Sequence, residues 1–261
     1  MKKTVELIWD ILLAVSFFVV TRFLLTGIQF GLNDLWQIAL LIGITFYFVY
    51  TSVQKKGLSL REIGLSLPKK NHWLLSMGVL IPALFYIPSL LFPGRWVSQP
   101  WNAETWRSVF LPVFLHSGLG SGISEELLFR GYLLKHTEKQ CGKMQAVMIT
   151  SLVFGLVHLL NGFSSAVDAL WMVFNTGMLG AILAMLTYVT GSLVYPMIVH
   201  AMINLSSVFV AAGTGGSPAR FYYLMEGTAV SMPVFYGGVG IGLVLILTFL
   251  IWHSKKYLTD K

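Results

Sequence analysis

The chain has 261 residues, of which 56% are hydrophobic and only 11% charged, with a formal net charge of +7 and a mean hydropathy of +0.73. Soluble domains carry about 25% charged residues, so this composition excludes a soluble domain. The long apolar runs indicate a helical membrane protein, and no polar stretch is long enough to form a second domain, so residues 1–261 are interpreted as a single membrane domain.

A helix that spans a membrane needs about 20 mostly apolar residues. Eight segments of the chain satisfy this rule, at about 7–28, 35–54, 73–93, 108–130, 145–163, 168–189, 192–212 and 232–252. The sequence therefore predicts an all-α fold, a polytopic membrane helical bundle with about eight transmembrane helices.

The basic residues predict how this bundle is oriented. If the N-terminus is cytoplasmic and the spans alternate, most of the 18 Lys and Arg residues fall in cytoplasmic segments. Cytoplasmic loops of membrane proteins carry such an excess, so we expect a multi-pass protein of the cell membrane with both termini in the cytoplasm. The positive charge is thus a topology signal, and no nucleic-acid partner is expected.

The fourth predicted span carries adjacent carboxylates, Glu125 and Glu126, followed by Arg130. Charges at membrane depth are costly, so they indicate a functional site by default. The Ser- and Gly-rich run 117–122 just before them is a poor helix interior and predicts a break or kink. A helix that restarts near Ser121 or Ser124 would be capped by that serine and would hold both glutamates in its first turn.

Helical spacing predicts different roles for the two glutamates. Glu126 and Arg130 are four residues apart, on one face of the helix, where they can form an ion pair. Glu125 points about 100° away around the helix and is freer to act as a base. A buried Glu–Arg pair that only fixes helix packing is the alternative, and it leaves Glu125 unexplained.

Two later spans contribute further polar residues. The fifth span carries Phe154-x3-His158, and His158 is predicted at the same depth as Glu125, each ~25 Å from the intervening turn by helical rise. The seventh span carries His200-x3-Asn204, whose two polar side chains share one helical face. Polar residues at compatible depths on three spans predict one interior polar site.

These residues resemble the signature of the CPBP family of intramembrane proteases. This is the CAAX protease and bacteriocin-processing, or Abi, family, which includes the prenyl-protein endopeptidase Rce1. Its pattern is Glu-Glu-x3-Arg, then Phe-x3-His, then His-x3-Asn on later helices. The corresponding residues of this sequence are Glu125, Glu126 and Arg130, Phe154 and His158, and His200 and Asn204. The resemblance covers a motif-bearing core of about residues 108–212, and the family's eight-span layout also agrees.

The resemblance implies that the protein hydrolyses peptide bonds within the membrane. Glu125 together with His158 would activate a water molecule, and His200 and Asn204 would donate hydrogen bonds to the tetrahedral oxyanion. Glu126, Arg130 and Phe154 would hold the geometry of the site. The expected partners are the lipid bilayer and a membrane-associated peptide or protein substrate.

The resemblance leaves the role of a metal open, because the family is often described as metalloproteases. If a divalent metal such as zinc is bound, its ligands would be Glu125, His158 and His200. The sequence lacks the His-Glu-x2-His helix of zincins, and Cys141 is the only cysteine, so a cysteine-based site is excluded. No cofactor is therefore assigned from the sequence.

Two other classes of function compete with the protease. One is a non-catalytic bacteriocin-immunity or accessory membrane protein that binds a peptide partner, although a pure binder has no need of a base. The other is a transporter that couples transport to protonation of the buried carboxylates. The sequence shows no repeat of the kind found in inverted-repeat transporters, so the protease is the leading hypothesis.

Overall fold

Long apolar runs of the sequence form helices in a computed structural model of the protein. The structure describes residues 2–27, 34–66, 72–90, 94–96, 102–105, 107, 111, 113–163, 165–206, 210–211, 222–224 and 232–253. The all-α fold class is confirmed: the described chain is a bundle of helices with one small sheet.

The first half of the bundle consists of peripheral helices and the helix that carries the site. Its regular elements are α1 (Lys2–Gly27), α2 (Asp34–Lys55), α3 (Met77–Leu90) after a 3₁₀ turn (His72–Ser76), and the short α4 (Ala103–Thr105). We call residues 113–141 the site helix; it consists of π1 (Val113–Ser121), α5 (Gly122–Glu126), π2 (Leu127–Leu133) and α6 (Leu134–Cys141).

The second half completes the bundle. Its helices are α7 (Lys143–Val157) with a 3₁₀ turn (His158–Asn161), α8 (Ala166–Thr190), α9 (Val194–Ser206) and α10 (Met232–His253). Three short strands, β1 (Gly94–Trp96), β2 (Val210–Ala211) and β3 (Tyr222–Leu224), form a sheet in the order β1-β3-β2. The β1–β3 pair is antiparallel and the β2–β3 pair is parallel. The sheet was not predicted, because its strands are too short to show an alternating pattern.

Local residues explain where the central helices begin and end. Gly142 has a φ of 86° and separates α6 from α7, a backbone conformation that glycine adopts without strain. Ser165 is extended and its Oγ accepts a hydrogen bond from the backbone N–H of Asp168, which caps the start of α8. Gly191, with a φ of 64°, ends α8 in the left-handed conformation typical of helix C-termini.

Each of the eight predicted spans contains a helix in the described part of the chain. Four helices are long and apolar enough to cross a membrane, over Lys3–Phe23, Leu35–Lys55, Lys143–Asn161 and Ala166–Thr190. Three further apolar helices are shorter, over His72–Leu84, Val194–Ser206 and Gly237–His253. A helical membrane bundle is therefore supported, and the count of eight spans stays a prediction.

The predicted break before the glutamates is wrong. The chain remains helical through residues 113–141, and the Ser- and Gly-rich run winds as a π-helix instead of ending one helix and starting another. Ser121 has helical dihedral angles and caps nothing, while the Ser124 hydroxyl donates to the carbonyl of Gly120 within the same helix. Glu125 and Glu126 consequently lie in the middle of a helix rather than in a first turn.

The core has two hydrophobic clusters, and both the site helix and α7 contribute to each of them. One cluster also includes α3, α8, α9 and α10, and the other also includes α1 and α2. Helix α7 lies very close to α8, since a Cβ atom at Gly155 would be only 2.5 Å from the carbonyl oxygen of Val173. The neighbouring residue of α7, Phe154, packs on Phe129 of the site helix with 5.1 Å between ring centres.

The segment after α2 fixes the start of α9. Ile63 is fully buried in the second cluster, and the carbonyl of Gly64 accepts a 2.8 Å hydrogen bond from the backbone N–H of Leu193. The Ser192 hydroxyl donates to the carbonyl of Ser66 at 2.6 Å. Because α9 begins at Val194, these bonds hold the turn that directly precedes α9.

Candidate active site

The Glu126–Arg130 ion pair predicted from helical spacing is present. One guanidinium nitrogen of Arg130 lies 2.8 Å from Oε1 of Glu126, and the two side chains are 2% and 0% exposed. The other terminal nitrogen donates to the carbonyl of Gly180 in α8 at 3.2 Å. The guanidinium carbon lies 4.2 Å from the centre of the Phe154 ring. Arg130 thus connects the site helix to both α7 and α8.

His200 brings α9 into contact with both glutamates. Its Nδ1 lies 2.8 Å from Oε1 of Glu126, and its Nε2 lies 4.0 Å from Oε2 of Glu125. An ionised carboxylate only accepts hydrogen bonds, so Nδ1 carries the proton that is shared with Glu126. The other ring nitrogen, Nε2, is therefore the one that faces Glu125.

His158 lies where α7 tightens into its terminal 3₁₀ turn. Its Nδ1 lies 2.6 Å from the carbonyl oxygen of Phe154, so Nδ1–H donates to the backbone and leaves Nε2 for other partners. The Phe154 ring packs against both histidines, with ring centres 4.4 Å from His158 and 6.0 Å from His200. Phe154 therefore separates and orients the two imidazoles, in keeping with the supporting place that the motif gives it.

The fourth predicted catalytic residue, Asn204, makes a bond that the sequence did not suggest. Its side-chain Nδ2 donates to the backbone carbonyl of Ser117 in π1 at 2.8 Å. This bond ties α9 to the segment just before the glutamates. One amide hydrogen of Asn204 is used there, so only the second could serve a substrate oxygen.

Glu125 borders a cavity of about 280 Å³ between α1, α2 and the site helix. The carboxylate is 6% exposed, and its buried Oε2 has no hydrogen-bond partner among the described residues. Unpaired buried carboxylate oxygens are costly, so a carboxylate of this kind beside a cavity is a candidate for binding a water or substrate proton. Of the seven motif residues, this one lines the cavity.

Several cavity residues were missed by the sequence analysis. Thr21, Arg22, Gln37 and Thr45 come from α1 and α2, which carry no family motif. The available signal was the presence of polar side chains within predicted spans. Apolar periodicity alone could not show that these residues face Glu125.

The predicted metal ligands do not fit a metal site. No three His, Cys, Asp or Glu side chains of the described residues are grouped so that they could hold an ion. Nδ1 of His158 is bonded to a backbone carbonyl and Nδ1 of His200 to Glu126, which leaves Nε2 of each ring available, so the histidine tautomers themselves do not argue against a metal. Nε2 of His200 and Oε2 of Glu125 face each other, but a structural or catalytic zinc site requires at least a third protein ligand.

The site is therefore a buried Glu–Glu–Arg–His cluster inside a helical membrane bundle. Comparison with known protein families gives a match over residues 106–206 to the type II CAAX prenyl endopeptidase Rce1-like family. The matched residues include all seven motif positions, so the match supports the resemblance to the CPBP/Rce1-like family that the motifs indicated for this segment. No curated protein and no solved structure matches the chain.

Proposed function

We propose that this protein is an intramembrane endopeptidase that hydrolyses a peptide bond in a membrane-associated protein or peptide. The proposal is carried by the position of Glu125, whose buried side chain borders the cavity. Its Oε2 has no hydrogen-bond partner among the described residues and faces Nε2 of His200. The family match over residues 106–206 supports the same class of activity.

In the proposed reaction Glu125 acts as the general base. It takes a proton from a water molecule, while the free Nε2 of His158 accepts the second hydrogen of that water and orients it. The hydroxide forms a bond to the peptide carbonyl carbon, and the carbonyl electrons move onto the oxygen. When the C–N bond breaks, the proton held by Glu125 passes to the leaving nitrogen.

The oxyanion is assigned to His200 and Asn204. Because Nδ1–H of His200 is held by Glu126, the ring must be doubly protonated to donate Nε2–H to the oxyanion. Asn204 would use its second amide hydrogen, with the first held by the carbonyl of Ser117.

We also propose that both chain termini lie in the cytoplasm. The proposal rests on the excess of Lys and Arg in the predicted cytoplasmic segments. Several of these residues, including Lys69, Lys70 and Lys255, lie outside the described residues, as does the C-terminal end at 254–261. Labelling of single introduced cysteines from each side of sealed vesicles, in a Cys141→Ser background, tests this orientation.

The decisive experiment is peptide cleavage by purified protein in lipid vesicles. We expect Glu125→Gln and His158→Ala each to lower turnover by roughly 10²- to 10⁴-fold, the usual contribution of general acid–base groups. Glu6→Gln, a substitution of an exposed carboxylate in α1, is the matched control and should leave turnover unchanged. Undiminished turnover in both site variants would show that the assignment is wrong.

A second candidate function is a non-catalytic accessory or immunity protein that binds a peptide partner. It is favoured by the polar groups already engaged within the protein, since Arg130 and Asn204 both donate to backbone carbonyls. This function predicts that Glu125→Gln complements a deletion strain as well as wild type does. Loss of complementation together with loss of cleavage would favour the protease.

A further inference from the structure

The cavity beside Glu125 is built largely by helices outside the family-matched segment. Its walls come from α1 and α2 as well as the site helix, whereas the match covers residues 106–206 only. Its lining combines apolar side chains, such as those of Phe17, Phe18 and Leu41, with polar ones. Polar groups at membrane depth are costly unless a bound molecule or the protein satisfies them.

Three hydroxyl groups in the cavity wall share one hydrogen-bonding pattern. Thr21 donates to the backbone carbonyl of Phe17 at 2.8 Å, and Thr45 donates to that of Leu41 at 2.8 Å. Ser124 donates to the carbonyl of its own helix in the same way. Each hydroxyl thus donates its only hydrogen within its own helix, and its oxygen lone pairs remain available as acceptors.

The three acceptors come from three helices, α1, α2 and α5, and the carboxylate of Glu125 also borders the cavity. A wall rich in acceptors suits a molecule that offers N–H donors. An unwound peptide offers one N–H per residue, and at membrane depth each of these must find a partner. A hydrocarbon chain offers none and would leave the same oxygens without donors.

The size of the cavity agrees with an extended peptide. A volume of about 280 Å³ is close to the lower limit of ~300 Å³ for small-ligand pockets, so it holds a short stretch of extended chain. An α-helix, about 10–12 Å across with its side chains, does not fit. At one side of the cavity Arg22 donates to the side-chain oxygen of Asn161, three residues after His158, so the cavity leads towards the second group that is proposed to handle water.

We infer that this cavity binds an unwound segment of the peptide substrate and that the hydroxyl oxygens of Thr21, Thr45 and Ser124 accept hydrogen bonds from its backbone N–H groups. The inference rests on the proposed function, because it gives the site that would act on a peptide its substrate-binding surface. On this inference, α1 and α2 help the protein to select substrates whose backbone is unwound near the cleaved bond.

The test compares two threonines of α2. Thr45→Val removes a hydroxyl that faces the cavity, whereas Thr51→Val removes one that also donates to its own helix but does not line the cavity. The probe is a non-prenylated peptide with a fluorophore and a quencher, the fastest-cleaved member of a random peptide set. We expect Thr45→Val to raise KM roughly threefold to tenfold, the loss of one hydrogen bond, with kcat little changed. Thr51→Val should leave both constants unchanged, and Thr45→Ser should restore the wild-type KM.

N-methylated versions of the same peptide identify the donor. Methylating the backbone nitrogen that meets Thr45 should raise KM for wild type and Thr51→Val, but not further for Thr45→Val. Equal KM values for Thr45→Val and Thr51→Val would overturn the inference. A farnesylated peptide that binds tighter to wild type but not to Thr45→Val would overturn it as well, because it would place the prenyl chain in the cavity.

Binding is measured separately from cleavage, so that failure of the two proposals can be distinguished. Labelled peptides of the same set are bound to His158→Ala protein, whose substitution lies outside the cavity wall, and followed by fluorescence anisotropy. If Thr45→Val in the His158→Ala background weakens peptide binding and Thr51→Val does not, the peptide-binding role of the cavity is supported even if no peptide is cleaved. Equal binding after either addition overturns the cavity assignment even if wild type is an active protease.

Discussion

Arg130 is the residue whose replacement should affect the bundle most. It is 2% exposed and makes its ion pair with Glu126, a hydrogen bond to Gly180 and a cation–π contact with Phe154. Arg130→Met keeps much of the volume but removes all three polar contacts and leaves the Glu126 carboxylate buried. Removing one partner of a buried ion pair costs about 3–5 kcal/mol, because the remaining charge is uncompensated.

The structure suggests a value near the lower end of this range. Nδ1 of His200 stays 2.8 Å from Oε1 of Glu126 and continues to satisfy part of the carboxylate. We therefore expect Arg130→Met to lower the free energy of unfolding by about 3 kcal/mol. Adding Glu126→Gln removes the stranded charge, so the double variant should recover roughly half of that loss.

The assay is reversible unfolding in mixed micelles with increasing SDS, followed by tryptophan fluorescence, for wild type, both single variants and the double variant. Arg130→Lys is a further control. A lysine ammonium cannot contact Glu126 and Gly180 together while stacking on Phe154, so this variant should also be destabilised despite its charge. A double variant as unstable as Arg130→Met alone would refute the view that Glu126 depends on Arg130 for charge compensation.

Three further predictions concern other parts of the molecule. Asn204→Asp places a carboxylate against the carbonyl oxygen of Ser117, so its Tm in detergent should fall by several degrees, whereas unchanged Tm would contradict the observed bond. Asp10→Asn removes the charge that Lys56 pairs with and should cost about 1–2 kcal/mol in SDS titration, an effect that should shrink in a Lys56→Met background. Treatment with a strong chelator should leave peptide cleavage intact, and activity restored only by added zinc would refute the metal-free mechanism.

Local spacing predicted part of the site well. Residues four apart in the sequence lie on the same face of a helix, so the Glu126–Arg130 ion pair could be predicted from spacing alone. The pair forms although two stretches of the site helix wind as π-helix. The long apolar runs predicted the helices for the same reason, because length and apolar character are local. These features needed no knowledge of which helices are neighbours.

Contacts between helices could not be predicted in this way. The bond between His200 and Glu126 depends on how α9 crosses the site helix, and helical phase does not determine that crossing. The sequence analysis had separated Glu126 from the proposed catalytic residues, yet His200 contacts it more closely than it contacts Glu125. The helix break predicted at the Ser- and Gly-rich run was wrong for a different reason, because tertiary packing overrides weak helix propensity.

Asp10 was missed because it lies near the end of a predicted span, where acidic residues are common. It is 4% exposed and accepts hydrogen bonds from Lys56, the Tyr132 hydroxyl and the Gln140 side chain. These donors come from α2 and from two consecutive parts of the site helix, π2 and α6, and all of them are far from Asp10 in the sequence. A buried carboxylate with three donors holds α1 against the site helix, and only the assembled bundle reveals it.

Two polar contacts of α1, from Asp10 to Lys56 and from Arg22 to Asn161, depend on the order in which the chain is synthesised. α1, which carries Asp10 and Arg22, is synthesised before the helices that hold their partners. Lys56 follows soon after with α2, but Asn161, the partner of Arg22, is synthesised more than a hundred residues later. The contact between α1 and the turn after α7 can therefore form only once the chain has been made as far as Asn161. The two ends of this contact enclose every other helix of the cavity wall in the sequence, so α1 joins its final neighbours late in synthesis.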